Sequence, residues 1–177
     1  MTRYTDLMVD LETLGKKPGC CLLEIGLCAF SLGGDPSDMV TGSIFPDVVE
    51  QMSLGGEVEV DTLRWWATKP EALDIQWNAL RIPVADAQDM LTQFFGEYCD
   101  PQARVWAKGT HFDLPLLTHW YTEPWHFRNI HELRTVLMLS GNDSKIAQTG
   151  TAHSGMDDAH SQALWLVHHL TPPVDLG

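Results

Sequence analysis

Basic residues are scarce in this chain: 11 Lys and Arg stand against 24 Asp and Glu, a net charge of −13. That balance excludes a coat protein that neutralises phosphates with its own side chains. An acidic chain still binds nucleic acid where bound cations neutralise its site and a few Lys or Arg line one groove. Cysteines are few as well, and Cys20, Cys21, Cys28 and Cys99 match no zinc spacing. The adjacent Cys20 and Cys21 are poor partners for each other, and Cys28 falls in an apolar run and reads as a small core residue. All four are expected as reduced thiols in a cytoplasmic protein. No apolar run reaches membrane-spanning length. Arg3 and Asp6 interrupt the N-terminus, so no signal-peptide pattern forms there. Repeats and low-complexity tracts are absent. With 44% hydrophobic residues and seven Trp in 177 residues, the composition is that of a globular protein with a sizeable core, not a disordered chain.

The patterning predicts a first strand over Tyr4 to Val9, a second over Cys21 to Phe30 and a third over Met39 to Phe45. The short links read as an antiparallel meander. Residues 46 to 60 read as loop, with Gly55-Gly56 inside it. Asp61-Thr62 is a candidate N-cap for a short helix carrying Leu63, Trp65 and Trp66, and Lys69-Pro70-Glu71 restarts a second. Ala87, Met90, Leu91, Phe94, Phe95 and Tyr98 form a 3.6-residue stripe on a helix over Asp86 to Tyr98. A buried strand over Ala103 to Ala107 leads through a loop into a helix from Phe112 to about Tyr121. Pro124 to Ile130 reads as extended and Ile130 to Leu139 as helix. Ser140 to Gly150 reads as a polar loop, and Asp157 to Leu170 as a last helix with Ala159, Ala163, Leu164, Val167 and Leu170 on its apolar face. Thr171-Pro172-Pro173 ends it. The expected fold is a single α/β domain over residues 1–177: a mixed sheet of three antiparallel strands followed by parallel strands, flanked by helices.

Asp10 and Glu12 are spaced by one residue at the end of an apolar run, so on a strand both point to the same face. Two acids held that close repel unless one is protonated or a cation lies between them. Taken alone the pair is a weak signal, and a solvated strand end with two surface acids is the blander reading. Asp113 follows a buried strand at a loop-to-helix junction, where its bland role is favourable charge at a helix start. His153 stands five residues before Asp158 in a Gly-containing loop, with Asp157 as the alternative acid. Arg128 to Thr135 is polar and basic without a spacing signature. Together Asp10, Glu12, Asp113 and Asp158 with His153 suit two hard divalent ions on oxygen ligands, not a closed structural zinc site. Two such ions can clamp the attacking and leaving oxygens of a phosphodiester, and a neutral His beside them can take a proton from water.

These motifs resemble the DEDDh branch of the DnaQ-like 3′–5′ exonuclease superfamily, which has an RNase H-like fold. Asp10, Glu12 and Thr13, then Phe112 and Asp113, then His153, Asp158 and Ala159 match its three motifs in order, and the likeness runs from residue 6 to about 170. Asp61 to Trp66 looks like the smaller phage and bacterial group related to exodeoxyribonuclease VIII. The resemblance implies that Asp10, Glu12, Asp113 and Asp158 hold two Mg²⁺ or Mn²⁺ ions, that His153 is the general base, and that a single-stranded 3′ end loses nucleoside monophosphates. Leu11, Thr13 and Leu14 fall where the superfamily contacts the 3′-terminal nucleotide. Leu14 departs from the Thr or Ser of many relatives, and Lys108 stands where some carry Asn.

Trp65 and Trp66 are about 100° apart on a helix, so at most one faces a base and the other belongs to the core. Phe112 lines a nucleotide pocket or packs in the core, and Lys108 reaches a phosphate or stays solvated. Lys16, Lys17, Arg64 and Lys69 are further candidates for phosphate contacts. Two other classes stay open: a non-catalytic nucleic-acid-binding module of the same fold, and a two-metal phosphohydrolase of small nucleotides. A homodimer through surface Trp is a further open expectation.

Overall fold

The computed structural model describes residues 3–141 and 146–170. Its five-stranded mixed sheet has the order β3-β2-β1-β4-β5. The strands are β1 (Tyr4–Thr13), β2 (Leu22–Phe30), β3 (Val40–Ile44), β4 (Cys99–Ala107) and β5 (Ile130–Glu132). The first three form the expected antiparallel meander, and β4 and β5 add in parallel to the other side of β1. The helices are α1 (Val48–Ser53), α2 (Val60–Trp66), α3 (Pro70–Asn78), α4 (Val84–Tyr98), α5 (Thr110–Trp120), α6 (Leu133–Leu139) and α7 (Gly155–His169). The architecture is the mixed α/β sheet expected from the sequence and fits an RNase H-like fold.

Two cores sandwich the sheet, and the period-2 alternation of β1 sorts its side chains between them. Leu7, Val9 and Leu11 pack with Leu91 and Phe95 of α4 and Leu114 and Leu117 of α5. Met8, from the opposite face, packs with Trp106, with Leu133 and Leu137 of α6, and with Ala159, Ala163 and Leu166 of α7. Asp6, Asp10 and Glu12 share the face of Met8, so the acids lie where the α6–α7 core gives out along β1. A smaller cluster of Leu14, Cys21, Leu23, Trp66 and Ala72 seats α2 and α3. All four cysteines are free and buried. Among the described residues, no helix is long and apolar enough to cross a membrane.

Several elements differ from the pattern reading. Strand β1 does not stop at Val9 but continues to Thr13, because Asp10, Leu11 and Glu12 pair with Gly26, Ile25 and Glu24 of β2. Residues 46 to 60 are not all loop. Asp47 accepts from the Glu50 N–H (2.7 Å) and starts α1, and buried Gln51 of that helix bonds both the N–H and the carbonyl of Leu22. Asp47 with Glu50 three residues on is the capping-box spacing, a signal masked by the glycines that follow. Glu59, not Asp61-Thr62, is the N-cap of α2, and Thr62 is buried inside it. Helix α4 begins at Val84 and leaves Met90 exposed, α5 begins at Thr110, and α7 begins at Gly155. On α7, Val167 and Leu170 pack against the core as expected, Trp165 and Leu166 are buried there as well, and Leu164 is only half-buried. The stretch before Ile130 holds a 3-10 turn (Phe127–Asn129). Ile130 to Glu132 is strand, because pairing with Val105 to Ala107 overrides helix-compatible spacing. Thr171-Pro172-Pro173 lies outside the described residues.

Strand β2 and the start of α7 approach so closely that a Cβ on Gly26 would sit 1.9 Å from the carbonyl carbon of Gly155. Gly26→Ala is therefore expected to cost about 3 kcal/mol or more. A thermal melt should show the midpoint lower by about 6 °C or more; an unchanged midpoint would contradict this packing.

Candidate active site

Asp10 and Glu12 come from the C-terminal end of β1, and the parallel neighbour β4 delivers the chain into α5 at the same end of the sheet. That end of an open α/β sheet is where binding crevices form. A register shift between Glu12 and Thr13 ends the regular pairing with β2. Asp113 lies in the first turn of α5 and is buried. Glu132 of β5 places that turn: its carboxylate accepts from the N–H groups of Gly109 (3.0 Å) and Thr110 (2.7 Å) and from the Thr110 hydroxyl (2.8 Å). Gly109 has φ +126°, and a Cβ there would lie 3.7 Å from Asp113 Oδ2 and 3.6 Å from a guanidinium nitrogen of Arg134.

The loop before α7 contributes the remaining groups. His153 is held at φ +66°, the left-handed region that a non-glycine residue seldom adopts. Its backbone N–H donates to Asp158 Oδ2 (3.2 Å), and Gln148 Nε2 donates to Asp158 Oδ1 (2.7 Å). Ligand atoms of Glu12, His153 and Asp158 all lie within 4.8 Å of one another. Asp157 serves a different purpose: its Oδ2 accepts from the Thr151 N–H (2.7 Å) and shapes the loop. The Trp65 ring meets the His153 imidazole edge-on, with centroids 4.8 Å apart.

Asp6 provides an internal comparison. It occupies the same face of β1 as Asp10 and Glu12 and is fully buried, but it has a cation. Arg104 grips both its oxygens at 2.7 Å, and Trp106 Nε1 adds a third bond at 2.8 Å. No Lys or Arg among the described residues forms an ion pair with Asp10, Glu12, Asp113 or Asp158. Burial is the main cause that pushes each of these four carboxyls above its usual range. The neighbouring acids push Asp10 and Glu12 up further, and Asp113 is raised to about 7. Burial lowers the His153 imidazole; Asp158 opposes that shift and Lys69 adds to it. Such oxygen donors, crowded and without an ion-pairing Lys or Arg among the described residues, fit a hard divalent ion.

A carboxyl raised from 3.8 to about 7 on folding binds more protons in the native state between those values, so native stability falls as pH rises through that window. In EDTA, melting temperatures should be higher at about pH 5 than at about pH 8. The opposite order would mean that the acids are already neutralised by the protein.

A cavity of about 340 Å³ adjoins Glu12 and is lined by Leu11, Thr13, Lys16, Trp65 and Phe112 among others. Trp65 is 40% exposed and Phe112 38%, whereas Trp66 is 2% exposed and donates from Nε1 to the Thr13 carbonyl (2.9 Å). Both Trp line this cavity, Trp65 from a partly exposed ring and Trp66 from a buried one. Leu14 is buried in the cluster beneath α2 and α3 and does not line this cavity. Lys108 lies near enough to Asp158 to act on its charge, and Lys69 sits over the Trp65 ring at 5.5 Å. Arg64 is engaged with Asp61 in an exposed pair. Pattern reading missed Gln162, which donates from Nε2 to Asp10 Oδ1 (2.7 Å), and the placement of Glu132 and Arg134 around Asp113. Gln162 lies one helical turn beyond Asp158, a spacing that would have pointed to it.

No curated protein matches the chain. A family model, the 3′–5′ exoribonuclease Rv2179c-like domain, matches residues 5–170.

Proposed function

The chain belongs to the Rv2179c-like 3′–5′ exoribonuclease domain family, and on that footing we propose that it is a metal-dependent 3′–5′ exonuclease of the DEDDh type within the DnaQ-like superfamily. The observation that carries the proposal is the cluster of Glu12, His153 and Asp158, whose ligand atoms lie within 4.8 Å of one another, with Asp10 and Asp113 near enough to act on the Glu12 carboxyl; among the described residues no Lys or Arg is ion-paired to the four acids, while Asp6 on the same strand face has Arg104. In this reading Asp10, Glu12, Asp113 and Asp158 hold two Mg²⁺ or Mn²⁺ ions. When bound, the ions supply an activated water and charge stabilisation at the phosphate.

The protein's own groups do the rest. His153, kept neutral by its lowered pKa, accepts the proton of the attacking water. The edge of Trp65 and the His153–Asp158 backbone bond fix the imidazole for that step. Water oxygen bonds to phosphorus, the bond from phosphorus to the 3′ oxygen breaks, and a nucleoside 5′-monophosphate leaves a strand with a new 3′ hydroxyl. The cavity beside Glu12 is large enough for the terminal nucleoside, with Trp65 and Phe112 as its stacking walls. Lys16 at the rim and Lys108 near Asp158 are the proposed phosphate contacts. The family's description favours RNA over DNA as the substrate strand, and the single domain is taken to span residues 1–177. The motif Asp61 to Trp66 supports kinship with the group related to exodeoxyribonuclease VIII.

The test uses 5′-labelled single-stranded RNA and DNA of one sequence, with Mn²⁺ or EDTA, resolved on a gel. A metal-dependent ladder shrinking from the 3′ end, faster on RNA, is expected. Binding without turnover would favour the non-catalytic module, and turnover of nucleotides alone would favour the small-nucleotide phosphohydrolase. Trp65→Ala should remove a stacking contact of about 1–3 kcal/mol and raise KM by about 5- to 150-fold. Trp66→Phe should instead lower the melting temperature, through loss of its bond to Thr13. KM unchanged in Trp65→Ala would remove that residue from the substrate site.

A further inference from the structure

We propose that Glu24 is a positioning residue that holds His153 and Asp158 in place against Asp10 and Glu12, an inference that rests on the exonuclease reading above. Every residue of β2 is buried, and Glu24 is its only ionisable side chain apart from Cys28. A carboxylate in such a strand is costly unless it is fully hydrogen-bonded. Glu24 is: Oε2 accepts from the Gly155 N–H (2.9 Å) and Gln76 Nε2 (2.5 Å), and Oε1 from the Met156 N–H (3.0 Å) and the Ser43 hydroxyl (2.7 Å). The donors come from three elements, β3, α3 and α7. Arg81 closes the same corner by donating to the carbonyls of Leu23 and Gln76.

Gly155 and Met156 are the first two residues of α7, whose leading N–H groups have no partner within the helix. Its N-cap, Ser154, makes no side-chain capping bond. Glu24 supplies the cap from a strand 131 residues away in sequence, and its charge suits the positive end of the helix. Gly26 and Gly155 permit the close approach; a Cβ on Gly155 would lie 3.2 Å from both the Asp10 carbonyl oxygen and Glu24 Cδ. Further along α7, Gln162 is bonded to Asp10. Asp158 therefore lies between two attachments of α7 to the sheet, and His153 lies two residues before the first. Glu24 is also the register partner of Glu12. The same arrangement recurs at α5, where Glu132 caps the turn that carries Asp113.

The residue touches neither substrate nor ions in this scheme; it acts through the segment it anchors. Glu24→Gln keeps the shape but turns one acceptor oxygen into a donor facing donors. The folded variant is expected to lose about 10- to 100-fold in kcat, with KM changed less than about threefold, and to bind Mn²⁺ about tenfold more weakly by calorimetry. A folded variant with the kcat and Mn²⁺ affinity of the unaltered protein would overturn the proposal. A second measurement does not depend on the variant folding: amide exchange in the unaltered, metal-free protein. Slow exchange at Gly155 and Met156 is expected, and exchange at the rate of an open helix start would overturn it. Should the unaltered protein prove inactive on every strand tested, the exonuclease reading fails, whereas Mn²⁺ affinity and amide exchange still decide the role of Glu24.

Discussion

Asp10→Asn is expected to lower hydrolysis of a single-stranded 3′ end by about 10³-fold or more, roughly 4 kcal/mol of transition-state stabilisation. The amide keeps the shape and still accepts from Gln162, so the fold should survive. It removes one of the crowded charges around which the metal site is built. Without metal, the loss of a buried charge facing Asp113 and Asp158 should raise the melting temperature of Asp10→Asn above that of the unaltered protein. With Mn²⁺ about 100-fold above its Kd, linkage adds about 2.7 kcal/mol to the unaltered protein, a rise of about 5–10 °C for a chain of this size. Asp10→Asn should lose most of that rise. Retained hydrolysis, or an undiminished Mn²⁺ shift, would remove Asp10 from the site.

His153→Ala is the second large effect. Loss of a general base costs about 10²- to 10⁴-fold in kcat. The side chain lies within reach of both Glu12 and Asp158, so it is placed to act either as a base or as a ligand. The base role predicts that Mn²⁺ affinity stays within about threefold while kcat collapses. A drop in affinity of about tenfold or more would reassign His153 as a ligand. The positive φ at this residue adds a structural expectation: a glycine there relieves backbone strain, so His153→Gly should be at least as stable as His153→Ala.

The legible parts of the site are those encoded by short spacings. Asp10 and Glu12 at i and i+2 share a strand face wherever that strand goes, and His153 to Asp158 spans one loop and the first turn of a helix. The three-strand meander was legible for the same reason, since its links are short and its turns marked. What the sequence hides is set by partners far along the chain. Glu24 looks like a stray charge in an apolar run until α7 arrives beside it. Ile130 to Glu132 becomes strand only because β4 offers an edge. In each case local propensity was overruled by contacts that no window of the sequence contains.

In the proposed function Asp10, Glu12, Asp113 and Asp158 together hold two divalent ions at the end of β1. Its most direct test is an anomalous difference map from crystals grown with Mn²⁺ and a nucleoside 5′-monophosphate. Two peaks are expected, each within coordination distance of these carboxylates, with His153 beside the phosphate and outside both coordination shells. A map with no peak among the four carboxylates, or with a single ion alone, would contradict it.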